Sequence, residues 1–522
     1  MKAKFKKIVA ALLSAMMVLT MCVATNVHAA EPTGNLNITS VEPLNGRTFN
    51  VYQLFNLTTN GQTDETTKFN YTQYDSTVTD AIKDILVDSF SKDAETLTDV
   101  DEIVAAIGTL KGDDIQKFAK LVSKQVSTIK ETITVPAGGV AVNKKTVNVP
   151  YGYYVIVEKT EYTDEDKNKP TISLAMLKTV YKAENDVKVK SELPDVKKEL
   201  VDSTSTNPKG SDYQVGDTVS FKVTGTAPRT AVLNTYDTYE YIFTDTLSAG
   251  LTLDKDSFTV SMNGTPITEG FVIDKEANPF TITFADLKKV ANIKGADDAA
   301  KNVITVEYTA TLNNKSLVTD PDTNKVNIKY SNNPDASTKG QSKDDVVYVY
   351  NFGLEVTKVD GTTKEALKGA EFRLEDANGH VLVAKENAAG DYTVQKFDST
   401  TENATVLKTT EDGKLVVSGL EDGTYKLFET KAPAGYNVLK EPVTITIEST
   451  YKEDGTLNAH TATVGTDTDG NGTFEFDVEN NSGTLLPETG GMGTTILYLV
   501  GILAMAGGVC YFVMERRKAQ QR

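Results

Sequence analysis

The chain has 522 residues, more than one hydrophobic core usually serves, so several domains are expected. Its 72 acidic and 54 basic residues give a net charge of −18, which argues against nucleic acid as a partner. The two cysteines, Cys22 and Cys510, both fall in terminal apolar runs. The part between those runs must therefore be stabilised without disulfides.

The first 30 residues have the pattern of a secretory signal peptide. Four lysines precede the apolar run Ile8 to Val23, and Val27-His28-Ala29 then offers a small-residue cleavage site. We therefore expect a secreted protein whose mature part begins near residue 31.

Residues 31–190 are predicted to form an α+β domain. Between Thr77 and Val126 the apolar residues recur at helical spacing, as in Ala81, Ile82 and Ile85, whereas the flanking segments read as strands. The polar, proline-bearing stretch "KAENDVKVKSELPDV" (182–196) marks the carboxyl end of this domain.

Two further domains, 191–350 and 351–485, are predicted to be β-sandwiches. Runs such as "TVSFKVTGT" (218–226) and "NVITVEYTATL" (302–312) alternate apolar with polar residues, which is typical of half-buried strands. The boundary falls in "KDDVVYVYNFGLEV" (343–356), where one series of strands ends and another begins. The fold class is thus mainly β, with tandem immunoglobulin-like sandwiches after the α+β domain.

One segment, "TDTDGNGTFEFDV" (466–478), begins like a calcium-binding loop. Asp467, Asp469 and Asn471 have the right spacing, but the twelfth position is Val478 rather than a bidentate glutamate. A hairpin turn is the better interpretation. We expect no metal and no cofactor.

Residues 486–522 combine a short motif, an apolar segment and a basic tail. The segment Thr494 to Met514 is long enough to cross a bilayer, and basic residues follow it. The motif "LPETG" resembles, in this context, the cell-wall sorting signal of Gram-positive surface proteins. It consists of Leu486, Pro487, Glu488, Thr489 and Gly490.

That resemblance implies a membrane-bound transpeptidase, a sortase, as a partner. In the family a sortase cleaves between the threonine and the glycine, here Thr489 and Gly490, and transfers the threonine carboxyl group to an amine. The precursor would be held transiently at the membrane, and the product would be anchored covalently to the peptidoglycan of the cell wall.

Residues Asn351 to Ser482 resemble a CnaB-type, prealbumin-like β-sandwich. The matching motifs are "LEVTKVD", "GAEFRL", "GKLVVSGLEDGTYKLFETKAPAGY" and "FDVENN". In such domains a lysine of the first strand attacks an asparagine of the last strand and forms an isopeptide bond, assisted by a glutamate. The resemblance implies these roles for Lys358, Asn480 and Glu429.

The strand pattern agrees with a buried Lys358. Alternation puts Val356 and Lys358 on one face, so a valine in the core brings the lysine with it. Burial in apolar surroundings lowers the pKa of an amine and raises that of a carboxyl group, which favours a neutral nucleophile beside a protonated acid.

Residues 191–350 resemble the D2-type domain of fimbrial shaft subunits, through "LPDVKKEL", "YQVGDTVSFKVTGTAP", "YIFTDTLSAGLT", "VEYTATLN" and "NKVNIKYSNNP". The resemblance implies a second isopeptide bond. For its amine, Lys198 is preferred to Lys197 because Val196 and Lys198 repeat the spacing of Val356 and Lys358. The amide is assigned to Asn324, with Asn332 as the alternative, and the assisting acid to Asp245, with Glu307 as the alternative.

The first domain, with "GRTFNVYQLFNL" (46–57) and "YGYYVIVEKT" (151–160), resembles the amino-terminal domain of the same shaft subunits and shows no isopeptide motif. In that family a further lysine, usually in V-x-V-Y-P-K, attacks the threonine carboxyl group of the next subunit. Here "VKVKSELP" (187–194) keeps the valines without Tyr-Pro-Lys. Lys190 is the assigned linkage lysine, and Lys188 is the alternative.

The resemblances together imply the major shaft subunit, or backbone pilin, of a sortase-assembled pilus that supports adhesion. Its partners would be pilus-assembling and housekeeping sortases, identical subunits, tip or base pilins and peptidoglycan. The alternative is a monomeric, wall-anchored adhesin that binds a host or partner-cell ligand. An enzyme is disfavoured, because only His380 and His460 remain after export and no catalytic triad, metal-ligand spacing or phosphate loop is present.

Overall fold

The computed structural model describes residues 31–62, 66–162, 167–201, 207–296, 298–318, 320–334, 336–483, 500–509 and 516. Strands dominate the described part of the chain, and the longer helices of residues 31–483 are grouped between residues 76 and 125. The structure therefore confirms the predicted fold class, mainly β with an α+β amino-terminal region. The predicted signal peptide and the motif Leu486 to Gly490 lie outside the described residues.

Two small sheets form the β-part of the first domain. Their strands are β1 (Thr33–Thr39), β2 (Thr48–Thr59), β3 (Phe69–Gln73), β4 (Glu131–Thr134), β5 (Lys144–Pro150), β6 (Gly152–Glu158), β7 (Met176–Val180) and β8 (Glu184–Lys188). One sheet has the order β5-β1-β8, with β8 parallel to β1. The other has the order β3-β2-β6-β7, and β4 also pairs with β2.

Helices fill the connection between β3 and β4, as the sequence predicted. They are α1 (Ser76–Phe90), α2 (Val100–Gly108) and α3 (Asp113–Gln125), with one 3-10 turn at Ala94–Thr96. Asp75 caps α1 by accepting a hydrogen bond from the amide of Thr77 at 2.8 Å. Asp99 caps α2, and Glu102 reaches back to the amide of Thr98 at 2.8 Å. Their apolar faces pack on one core with β2 and β6.

The middle domain is built from two sheets that face each other across a core rich in aromatic residues. Its elements are β9 (Asp195–Leu200), β10 (Gly210–Asp212), β11 (Thr218–Ala227), α4 (Thr230–Leu233), β12 (Tyr241–Leu247), β13 (Leu251–Leu253), β14 (Thr259–Met262), β15 (Thr265–Pro266), β16 (Val272–Asp274), β17 (Phe280–Phe284), a 3-10 turn (Leu287–Lys289), β18 (Asn302–Leu312), β19 (Asp322–Ser331), β20 (Lys339–Gln341) and β21 (Asp345–Tyr350). One sheet runs β10-β21-β19-β12-β17-β16, with β20 beside β19. The other runs β15-β14-β18-β11-β9, with β13 beside β18.

The third domain is a single network of paired strands. They are β22 (Phe352–Asp360), β23 (Glu371–Glu375), β24 (Val381–Ala388), β25 (Asp391–Asp398), β26 (Leu407–Lys408), β27 (Lys414–Leu420), β28 (Gly423–Lys431), β29 (Val443–Tyr451), β30 (Leu457–Ala462) and β31 (Thr473–Asn480), with a 3-10 turn at Thr401–Asn403. The order is β30-β29-β28-β23-β24-β25-β27-β22-β31, and β26 pairs with β23. The first and last strands, β22 and β31, are therefore parallel neighbours.

The middle and third domains meet along a seam of backbone contacts. The amide of Val215 donates to the carbonyl of Gly419 at 3.0 Å. At Gly210 a side chain would collide with the carbonyl oxygen of Gly455, so the two backbones touch directly there. The first and middle domains meet where the amide of Ile172 donates a hydrogen bond to the carbonyl oxygen of Asn332 at 2.7 Å.

The carboxyl-terminal part of the chain is described only in pieces. Residues 500–509 are helical, and the rest of the predicted membrane segment lies outside the described residues. Within the residues that are described, no helix combines the length and the apolar character needed to span a bilayer.

Candidate functional site

The first site is organised around Lys358, which lies inside the third domain. Leu354, Val356 and Lys358 alternate along β22 and are all buried, so the lysine shares the core face of the strand. Its side chain is 0% exposed. The Nζ atom donates a hydrogen bond to the carbonyl oxygen of Val478 at 2.8 Å and a second to Oδ1 of Asn480.

Strand pairing explains why Asn480 is there. In the parallel register Lys358 lies opposite Val478, and Asn480 is two residues further along β31, on the same face. The Nδ2 atom of Asn480 donates to both oxygens of Glu429, each at 3.0 Å, and to the carbonyl of Asn437 at 2.8 Å. The amine and the carboxylate thus lie on the two ends of one side-chain amide.

Glu429 completes this cluster from β28. Its Oε1 atom lies 3.7 Å from Nζ of Lys358, and its Oε2 atom accepts a hydrogen bond from the amide of Leu439 at 2.8 Å. The structure therefore brings Lys358, Glu429 and Asn480 together in a place that excludes water. Asn437 and Leu439, which hold the amide and the acid from the loop after β28, were not identified from the sequence.

Burial is the main influence on the amine of Lys358. Removal from water lowers its pKa to about 8, and the opposing attraction of Glu429 only partly offsets this. The unprotonated fraction of the amine near neutral pH is consequently small, but far larger than it would be at the ordinary lysine pKa. An unprotonated amine next to an amide carbon is a competent nucleophile for acyl transfer.

The second site lies in the middle domain around Lys198, which is also 0% exposed. Its Nζ atom donates to Oδ1 and Oδ2 of Asp245 at 2.8 and 2.6 Å, and to the hydroxyl of Tyr308 at 2.5 Å. The hydroxyl of Tyr308 donates to Oδ2 of Asp245 at 2.8 Å and accepts from Nδ2 of Asn324 at 2.8 Å. Lys198, Asp245 and Asn324 are thus gathered around one tyrosine hydroxyl.

Tyr308 is the member of this site that the sequence reasoning missed. Strand alternation already put it on the inward face of β18, together with Val306 and Ala310. That signal identified a core position but gave no reason to connect the residue with Lys198. The connection depends on the order of strands in the sheet, where β11 lies between β18 and β9, and a single strand pattern does not encode that order.

Desolvation favours the uncharged forms of all three ionisable groups in the middle site. It lowers the pKa of Lys198 to about 8, against the attraction of Asp245. It raises the pKa of Asp245 above its usual range, against the pull of Lys198. It also raises the pKa of Tyr308 well above the ordinary phenol value, and the nearby Asp245 adds to that rise.

The alternative residues of the middle domain lie elsewhere. Lys197 points outward and pairs with Glu199 at 2.5 Å, and Glu307 is exposed on β18. Asn332 is buried, but its Oδ1 atom accepts from the hydroxyl of Thr338 in a turn outside the cluster.

The two candidate linkage lysines lie at the boundary between the first and middle domains. Lys188 ends β8, and Lys190 follows it with an exposed side chain. Both border a cleft of about 410 Å³ that Arg229 and Asn234 of the middle domain also line. Either amine is accessible from this cleft, so the structure leaves both assignments open.

The first domain contains a different buried pair. Arg47 and Glu158 are joined by two parallel hydrogen bonds of 2.8 and 2.5 Å, and both side chains are buried. The hydroxyl of Thr160 and the amide of Ser173 supply further donors to the carboxylate. In the described residues of this domain, the buried cation is thus a guanidinium, which cannot serve as an amine nucleophile.

Residues 466–478, which begin like a calcium-binding loop, form a turn stabilised by hydrogen bonds from its own backbone amides. Asp467 accepts hydrogen bonds from the amides of Gly470, Asn471 and Gly472, and its carboxylate also contacts His460. Thr466 forms a bridge to Glu475 across the turn. These contacts engage both carboxylate oxygens of Asp467.

Comparison with known protein families finds a matching family for each of the two β-sandwiches. Residues 352–456 match the SpaA prealbumin-like fold domain. Residues 215–334 match the Cna-B-like domain of Gram-positive pilin backbone subunit 2. These two segments contain Lys358, Glu429, Asp245, Tyr308 and Asn324 of the clusters described above.

Individual relatives agree with those matches. The chain is 25% identical over 407 residues to the trypsin-resistant surface T6 protein of Streptococcus pyogenes serotype M6, which covers 63% of this chain and 70% of the relative. The solved structure of the T6 backbone pilin, a modular three-domain protein, aligns with 87% of this chain and all of its own at 18% identity, with a TM-score of 0.53, and shows the shared fold. The pilus 2b backbone protein of group B streptococcus is 28% identical over 56% of this chain and 99% of its own, with a TM-score of 0.41. The two family matches and the similarity to the T6 protein together support a major pilin of Gram-positive bacteria.

Proposed function

We propose that the chain is the shaft subunit of a covalent pilus, and that its middle and third domains each close an isopeptide bond between a buried lysine and a buried asparagine. The subunit itself performs no multiple-turnover catalysis. Each bond would form once, in the folded domain, with loss of one ammonia.

One observation carries this proposal. The amine of Lys358 and the carboxylate of Glu429 contact opposite ends of the Asn480 amide, and the cluster is closed to water. A buried cation and acid held this way stabilise a fold poorly, because desolvation offsets their attraction. Chemical use of the amine explains their retention. Folding supplies the effective concentration that the reaction needs.

The proposed bond in the third domain has a defined course. Nζ of Lys358 would form a bond to Cγ of Asn480 and lose a proton to Glu429. Glu429 would hand a proton to Nδ2, the Cγ–Nδ2 bond would break, and ammonia would leave. In the middle domain Nζ of Lys198 would form the corresponding bond to Cγ of Asn324 with loss of ammonia, and Asp245 would be the assisting acid.

Polymerisation would use the ends of the subunit. A sortase would cleave between Thr489 and Gly490 and transfer the threonine carboxyl group to Lys190 of another copy, with Lys188 as the alternative acceptor. Such a head-to-tail contact does not close on itself and generates a filament. The last subunit would be transferred to peptidoglycan, so the fibre would be fixed to the cell surface.

The test is the intact mass of the secreted part, residues 31–485, compared with the mass calculated from its sequence. We expect a deficit of two ammonias, which falls to one in a Lys358→Met/Glu429→Gln variant. A wild-type protein with its full calculated mass would contradict the proposal.

A further inference from the structure

In the middle domain the assisting acid and the amide are separated, unlike in the third domain. Glu429 accepts two hydrogen bonds directly from Nδ2 of Asn480. Among the hydrogen bonds of the described middle-domain residues, Nδ2 of Asn324 instead donates to the hydroxyl of Tyr308, and Asp245 contacts that hydroxyl and Lys198. The position next to the leaving nitrogen, held by a carboxylate in one domain, is held by a phenol in the other.

We propose that Tyr308 is a catalytic residue of the middle-domain crosslink, whose hydroxyl relays a proton to the departing nitrogen of Asn324. This inference rests on the proposed bond between Lys198 and Asn324. It adds to that reaction a residue that neither the sequence motif nor the resemblance assigned.

The proton balance of the reaction shows why a relay is required. When Nζ of Lys198 bonds to Cγ of Asn324, Nζ must lose a proton and Nδ2 must gain one before the Cγ–Nδ2 bond breaks and ammonia leaves. The hydroxyl of Tyr308 lies 2.5 Å from Nζ and 2.8 Å from Nδ2, so it contacts both atoms. It can give its proton to Nδ2 while it regains one from Nζ, directly or through Asp245.

The direction of the hydrogen bond at Nδ2 agrees with this role. In the planar amide the nitrogen lone pair is delocalised, so Nδ2 donates to the hydroxyl. After attack the carbon is tetrahedral and the nitrogen becomes basic, so the same 2.8 Å contact can carry a proton the other way. The pKa of Tyr308, raised by burial, keeps the hydroxyl protonated and available as the donor.

The ring of Tyr308 has a separate packing role that a test can hold constant. It lies 5.4 Å from the ring of Phe221 and 5.2 Å from each of Phe258 and Phe280, measured between centroids. A Tyr308→Phe variant keeps these contacts and removes only the hydroxyl. Tyr241→Phe is the matched control, because Tyr241 is equally buried in the same core but its hydroxyl donates to the carbonyl of Thr226.

The experiment follows crosslinking in newly made full-length chain. Cells receive a pulse of heavy amino acids, samples are denatured and digested during the chase, and the joined peptide containing Lys198 and Asn324 is quantified by mass spectrometry. The joined peptide of Lys358 and Asn480 in the same molecules serves as the internal clock. Relative to that clock, we expect Tyr308→Phe to slow the middle-domain bond on the order of 100-fold and Tyr241→Phe to leave it unchanged.

An unchanged rate in Tyr308→Phe, with the bond present in the wild type, would overturn the relay alone. Absence of the Lys198–Asn324 peptide from the wild type would overturn both the relay and the proposed middle-domain bond. If Tyr308→Phe fails to fold, a chain with 3-fluorotyrosine at position 308 decides, since it keeps the shape and makes the hydroxyl more acidic. A changed rate then supports the relay, and an unchanged rate overturns it.

Discussion

Lys358 and Asn480 are 122 residues apart in the chain, yet their side chains meet across the parallel pair of first and last strands. A bond at this point would join the first strand of the domain, where the chain enters, to its last strand, where the chain leaves. Tension along the chain would then pass through the bond, and the residues between would stay folded.

Single-molecule force measurements should show whether tension passes through the bond. An extended chain spans about 3.3 Å per residue, so release of the 122-residue segment adds about 400 Å of length. We expect this extra extension in Glu429→Gln, where the assisting acid is lost, and not in the wild type. The control is Glu479→Gln, which changes an exposed carboxylate beside Asn480. An extension of about 400 Å in the wild type would contradict the crosslink.

The crosslink should also raise the free energy of unfolding of the third domain. A covalent link that closes a loop of this length stabilises by about 5 kcal/mol, chiefly by restricting the unfolded chain. The comparison is with Lys358→Met/Glu429→Gln, which removes the bond and leaves no unpaired buried charge. Guanidinium denaturation monitored by third-domain tyrosine fluorescence measures the difference. Equal midpoints for the two proteins would count against the bond.

Without the bond, the buried amine should make stability depend on pH. The folded-state pKa of Lys358 is lowered from 10.5 to about 8 with Glu429 present, and loss of that carboxylate lowers it further, so between pH 8 and 10.5 the unfolded chain binds more protons than the folded one. Stability of Glu429→Gln should therefore rise as the pH increases from about 8 towards 10. Urea midpoints measured against Lys358→Met/Glu429→Gln isolate this effect, because only the first protein retains the lysine. A parallel pH dependence in both would show that Lys358 is not responsible.

Lys190→Ala should abolish the high-molecular-weight ladders of pilus polymers while single subunits still reach the cell wall. The reason is that the exposed amine of Lys190 would be the acceptor of the threonine carboxyl group. Immunoblots of wall extracts provide the measurement, and Lys188→Ala is the matched control in the same cleft. Ladders that persist without Lys190 and vanish without Lys188 would move the linkage to Lys188.

Much of this architecture was predictable from local patterns. Alternation along β22 and β9 placed Lys358 and Lys198 on inward faces, and helical spacing located α1 to α3 between Thr77 and Val126. These features depend on neighbours in the chain, which the sequence displays directly.

The features that were not predicted depend on contacts between segments that are far apart in the sequence. The hydroxyl of Tyr308 on β18 lies between Lys198 and Asn324 because β9 is in the same sheet, two strands away, and β19 faces it from the other sheet. The carbonyl of Asn437 likewise contacts Asn480 through a loop whose path no periodicity describes. The buried pair of Arg47 and Glu158 was missed for the same reason, since Arg47 precedes β2, Glu158 ends β6, and 111 positions separate them in the sequence.

The contact between Gly210 and Gly455 bears on how a filament of such subunits would flex. Two backbones that touch without intervening side chains leave no soft layer to compress, so the middle and third domains should bend as one rod. Curvature would then be concentrated at the joints between subunits. The persistence length of the fibre would be set by those joints rather than by the interior of each subunit.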